Sequence, residues 1–142
     1  MPARDAVTLE WLEGVLTRAG YETKISPQAP EQVLAKHTSR PNVSAKVLKN
    51  QGIILFTSFW GLKKSAGGIF SGGDKTPEAL NGANNLSFYL TFSRDKDGDL
   101  MVSSYIFLTE EVSEADVESF LERSAISFYQ VVANCGLKDH LA

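Results

Sequence analysis

Two runs of alternating apolar residues, each turned back by a glycine, restrict this chain more than any other feature. VSAKVLK (43–49) and IILFTSFW (53–60) flank Asn50-Gln51-Gly52. A three-residue hairpin loop takes glycine at its last, left-handed position, and Gly52 supplies it. That register pairs Lys49 with Ile53, Val47 with Leu55, Ala45 with Thr57 and Val43 with Phe59. One face then carries Val43, Ala45, Val47, Ile53, Leu55 and Phe59. LSFYLTFSR (86–94) and LMVSSYIFL (100–108) flank Asp95 to Asp99 in the same way. A two-residue Asp97-Gly98 turn would set Phe92 against Ser103 and send the apolar sets to opposite faces. A three-residue Lys96-Asp97-Gly98 loop instead pairs Phe92 with Val102, Phe88 with Ile106 and Leu86 with Leu108. This second register is expected, with Ser104 the only polar member of its face.

Helical signals surround the hairpins. Leu9, Leu12, Val15, Leu16 and Ala19 recur at helical spacing. Thr8 can cap this helix and Gly20 can close it, predicting a helix at about 8–19. YETKIS (21–26) reads as a short strand. Pro27 and Pro30 interrupt the next segment, and Gln32–His37 is open between a strand and a helical turn. Thr76, Pro77 and Glu78 suit a helix start, predicting a second helix at about 77–85. Ser113 and Asp116 form a capping-box pattern. Val117, Phe120, Leu121, Ser124, Phe128, Val131, Val132 and Cys135 make one stripe, and Gly136 ends it. This last helix would be about 33 Å long.

Hairpins require antiparallel pairing, and so few helices cannot cover both faces of a large sheet. The expected class is α+β: an antiparallel sheet built from hairpins and packed with helices, in the order α-β-β-β-α-β-β-α. At 142 residues, a single domain spanning 1–142 is expected. The net charge of −3 and the scatter of basic residues argue against nucleic acid as a partner. Without a run of about 18 apolar residues, no membrane span is expected. MPARDAVTLEWLEG has no apolar core of signal-peptide length, and one cysteine allows no internal disulfide. A cytoplasmic location is the expectation.

Several stretches imitate chemical sites. GGIFSGGDKT (67–76) approaches a phosphate loop, with Gly68, Gly73, Lys75 and Thr76. Asp74, however, puts a carboxylate where phosphate oxygens would lie and displaces the lysine by one residue. Pro77 removes an amide from the helix start. The stretch reads as a connector into the second helix. DKDGD (95–99) fails the calcium-loop pattern: glycine falls fourth from Asp95, and position twelve is Ile106. It reads as a hairpin turn. His37 and His140 are the only histidines, too few with Cys135 for a compact zinc site. Cys135, on an apolar stripe, reads as a small buried hydrophobe. No catalytic, metal-binding or cofactor-binding residues are assigned, and no cofactor is expected.

In the register above, Ile54, Phe56 and Trp60 face away from the chosen set, as do Tyr89, Met101, Tyr105 and Phe107. This second face is too aromatic to be simply solvated. Either a helix or a second sheet covers it, or it is an exposed patch that binds a partner or another copy of the chain.

EALNGANNLS leading into FYLTFSRDKDGDLMVSSYIFL, then TEEVSEADVESFLERSAISFYQVV, resembles the YbjN-like family, described as bacterial sensory transduction regulators. RAGYE at the end of the first helix and GIILFTSFWGL also fit. The resemblance covers most of the chain, apart from about 27–42 and the glycine-rich stretch. It implies a fold similar to type III secretion chaperones: an α/β sandwich, often dimeric, with no catalytic centre. The combined expectation is a non-enzymatic regulatory or adaptor protein working by protein–protein contact, and a homodimer. The alternative is a chaperone-like dimer holding an extended client segment.

Overall fold

The computed structural model describes residues 6–62, 76–86, 90–108, 112–134 and 141. Its elements run α1 (Leu9–Arg18), β1 (Glu22–Ser26), β2 (Ala29–Lys36), β3 (Val43–Leu48), β4 (Ile53–Trp60), α2 (Thr76–Leu86), β5 (Thr91–Arg94), β6 (Leu100–Phe107) and α3 (Glu114–Asn134). The six strands form one antiparallel sheet in the order β1-β2-β3-β4-β6-β5. The expected α+β class therefore holds. β2 resolves the stretch that the sequence left open: Val33 and Ala35 point inward while Leu34 and Lys36 are exposed, the period-2 pattern of a half-buried strand.

Local chemistry sets the helix ends. Thr8 Oγ1 accepts from the Trp11 amide at 3.1 Å. At the other end of α1, the Gly20 amide donates to Thr17 O and the Tyr21 amide to Leu16 O, a Schellman closure. At α3, Ser113 Oγ accepts from the Asp116 amide at 3.0 Å, and Asp116 Oδ2 accepts from the Ser113 amide at 3.3 Å. The box predicted from spacing is thus formed with aspartate as its second member. α2 extends through Leu86, so Leu86 does not open the following strand as the sequence suggested, and the proposed Leu86–Leu108 pair is not made.

The second hairpin has the expected register, with Phe92 opposite Val102. Asp95 and Asp99 close the loop through Asp95 N donating to Asp99 O at 2.9 Å, and Gly98 adopts φ 83°. Asp95 Oδ1 accepts from the amides of Asp97 and Asp99, both at 2.9 Å. The acidic cluster is thus used to hold its own turn.

The first hairpin corrects the sequence reading. Leu48 pairs with Ile53, Val47 with Ile54 and Ala45 with Phe56. The loop has four residues, Lys49 to Gly52. It is closed by the Gly52 amide on Lys49 O at 3.1 Å, with Gly52 at φ 68°. One residue of slip exchanges the two faces of a strand. Ile54 and Phe56 therefore enter the core with Ala45, Val43 and Val47, while Ile53, Leu55 and Phe59 come to the other side.

The three helices among the described residues all lie on one face of the sheet. α1 and the first half of α3 close over Val33, Ala35, Ala45, Ile54 and Phe56. α2 and the second half of α3 close over Leu90, Phe92, Leu100 and Val102. These two clusters make the core. Arg18 Nε donates to Glu114 Oε1 at 2.6 Å and ties α1 to α3, a contact too exposed to contribute much stability.

Candidate functional site

The candidate site is the face of the sheet that none of the helices among the described residues covers. The register assembles it row by row: Ile53 opposite Phe107, Leu55 opposite Tyr105, Thr57 opposite Ser103 and Phe59 opposite Met101. Alternation sends every one of these side chains away from the helices. Phe107 is 66% exposed, Phe59 57% and Tyr105 50%. The Tyr105 and Phe107 rings meet edge to face, 5.3 Å apart and at 84°. Taking an aromatic side chain as about 200 Å², the three rings leave roughly 350 Å² in water. Toward β1 the same face turns polar, with Gln32 and Lys46 in line with Leu55, and with Lys24 and exposed Leu34 beyond.

Only part of the sequence-derived patch lies here. Met101, Tyr105 and Phe107 are on the uncovered face. Ile54 and Phe56 are not: they are 0% and 2% exposed, inside the core. Trp60 stacks on Phe128 of α3, with centroids 4.9 Å apart and planes at 16°. All three are displaced by the same one-residue difference in the first hairpin. Tyr89, Phe88, Cys135, His140 and the 63–75 connector lie outside the described residues. Ile53, Leu55 and Phe59 belong to the site, although the sequence reading puts them on the core face. Their odd-numbered alternation with Tyr105 and Phe107 was the signal, hidden because both faces of IILFTSFW are apolar.

Both edges of the sheet are guarded. Asn84 of α2 bonds the main chain of β5 at Phe92 in both directions: Nδ2 donates to Phe92 O at 2.8 Å, and Oδ1 accepts from Phe92 N at 2.7 Å. This occupies groups that an added strand would use. At the opposite edge, β1 breaks register between Lys24 and Ser26 and exposes Glu22 and Lys24. Bulges and charges of this kind oppose strand addition.

The titratable groups on the helical side serve the 37–42 connection. His37 Nδ1 accepts from the amides of Ser39 and Arg40 at 3.0 and 3.1 Å. Ser39 Oγ lies 3.3 Å from that same nitrogen, so the ring atom that would serve as its base is already engaged. Arg40 Nη2 donates to Glu118 Oε1 at 3.0 Å. Burial opposes the charge on Arg40, but its hydrogen bond to Glu118, with the Tyr21 phenol acting in the same sense, carries its pKa upward. Burial pushes the Tyr21 phenol up as well, against the pull of Arg40. Among the described residues no three His, Cys, Asp or Glu side chains are grouped to hold a metal ion, and no helix is long and apolar enough to cross a membrane.

A family model described as "Putative bacterial sensory transduction regulator", YbjN, matches residues 8–135. The chain belongs to the YbjN family. The crystal structure titled "YbjN, a putative transcription regulator from E. coli" superposes with a TM-score of 0.69. Each chain is covered over 96% of its length at 15% identity. That similarity establishes a YbjN fold. No curated protein matches the sequence.

Proposed function

We propose that this YbjN-family protein is a non-enzymatic regulatory adaptor of the bacterial cytoplasm, and that it captures a folded protein partner on the uncovered face of its sheet. The observation that carries this reading is the set of exposed rings, Phe59, Tyr105 and Phe107, on a face that no helix among the described residues covers. Their roughly 350 Å² falls within the range of functional patches, about 300–600 Å². It falls short of the roughly 800 Å² per partner of a stable complex. A patch of that size suits a reversible contact, and the family's description as a regulator agrees with one. The Lys24 and Lys46 side of the face would form the polar rim.

The guarded edges weigh against the alternative of a chaperone that receives an extended client as an added strand. The homodimer implied by the family resemblance would have to bury more than the aromatic patch. Light scattering across a concentration series tests it.

The decisive experiment is co-purification from the native host with the wild-type chain and with Tyr105→Ser/Phe107→Ser. A partner retained by the wild type, identified by mass and lost from the double variant while its fold is intact, supports the adaptor reading. Equal retention by both chains overturns the assignment of the face. Selective rescue of an unfolded client, with no folded partner bound, favours the chaperone.

A further inference from the structure

The core is interrupted midway along α3. Between the helix and β4/β6 lies a partly open cavity of about 30 Å³. Leu121, Ala125 and Phe128 of α3 line it from above, and Phe56 and Val102 from the sheet. It lies where the two hydrophobic clusters meet: Phe56 and Leu121 belong to one, Val102 and Phe128 to the other.

Three further lining residues are serines: Ser58, Ser104 and Ser124. Ser58 and Ser104 are only 7% and 6% exposed, the two buried polar side chains of the described core. Ser58 donates its proton to Asn42 O at 2.8 Å, which leaves its oxygen free to accept. Ser124 Oγ is fully buried and meets no protein partner, not even the carbonyl one turn back that a helical serine commonly uses. A buried hydroxyl left unpaired carries a desolvation penalty with nothing to offset it. Alanine in its place would carry no such penalty.

We infer that this cavity is a hydration site, holding one or two internal waters that join the Ser104 and Ser124 hydroxyls across the helix–sheet seam, with Ser58 as an additional donor-bound acceptor. The size agrees: one water needs about 10–15 Å³. The chemistry agrees too. An internal water needs two to four polar partners, and cavities that stay dry are apolar throughout. A metabolite does not fit, since ligand pockets start at several hundred Å³. The site is independent of the uncovered face and of the function proposed for it.

Xenon and water compete for such a space with opposite preferences, and NMR reads both. In the wild-type protein, long-lived water should give cross-relaxation peaks to the amides of Ser104 and Ser124. Xenon pressure should leave the cavity amides unshifted. In Ser104→Ala/Ser124→Ala the water peaks should vanish, and xenon should shift the amides of Val102, Ala125 and Phe128. Xenon binding by the wild-type cavity, or absence of the water peaks at Ser104 and Ser124, overturns the inference. Both wild-type measurements stand even if the double variant does not fold.

Discussion

Asn84 does with one side chain what a neighbouring strand would do for β5. Its amide both gives to and takes from the Phe92 main chain. At about 0.5–1.5 kcal/mol net per hydrogen bond, Asn84→Ala should cost roughly 1–3 kcal/mol. Urea denaturation would show the loss. Asn84→Asp keeps the acceptor for the Phe92 amide but sets a carboxylate against its carbonyl, so it should recover little. Asp116 gives a pH-dependent counterpart. The Ser113 hydroxyl first, and then the Ser113 amide, hold its carboxyl below the ordinary carboxylate range. A depressed folded pKa means that the contribution is present above the unfolded value, roughly pH 4, and is lost as the pH falls through the folded one. Asp116→Asn should therefore lose less stability than wild type between pH 7 and pH 3. Equal losses in paired denaturation curves would show that the box does not couple to folding.

At the level of elements, the hairpin turns separate conformational cost from packing cost. Gly98 sits at φ 83°, and a Cβ built there meets nothing within 4 Å. Gly98→Ala should thus cost only the left-handed penalty, about 1–2 kcal/mol, with no change in the β5–β6 pairing. A shift in thermal midpoint with unchanged amide chemical shifts away from the turn would bear this out. A new register would contradict it. The second hairpin was legible because its apolar residues fall together under only one loop length. The first was not: VSAKVLK can pair with either side of IILFTSFW and still meet apolar residues. β2 was obscured for another reason. Pro30, Glu31 and Gln32 occupy its first half, and only Val33 and Ala35 report an inward face.

Across the whole molecule, one face of the sheet is packed under the helices and the other carries the face proposed for contact, and paired substitutions distinguish them. Phe56 is 2% exposed beneath α3, with its ring 5.9 Å from that of Phe120. Phe56→Ala should cost about 3–5 kcal/mol. Phe107, 66% exposed on the opposite side, should tolerate alanine within about 0.5 kcal/mol while losing partner capture. Equilibrium unfolding of both variants, run beside the co-purification assay, checks the division. Similar destabilisation by the two would mean that the face is covered in the native protein. The candidate site was half legible in the sequence. Met101, Tyr105 and Phe107 were placed through a hairpin read correctly, whereas Phe59 was missed and Phe56 misassigned through the one read a residue out.

The chain's local sequence determined its caps, its glycine turns, the amphipathic stripe of α3 and the α+β class, because each depends on residues within a few positions of one another. The tertiary structure alone decided which side of β4 is buried. A strand with two apolar faces carries no preference of its own. The choice falls to the four-residue turn and to three helices that all lie on the same side. That shared placement leaves Phe59, Tyr105 and Phe107 in water and makes the opposite face the core.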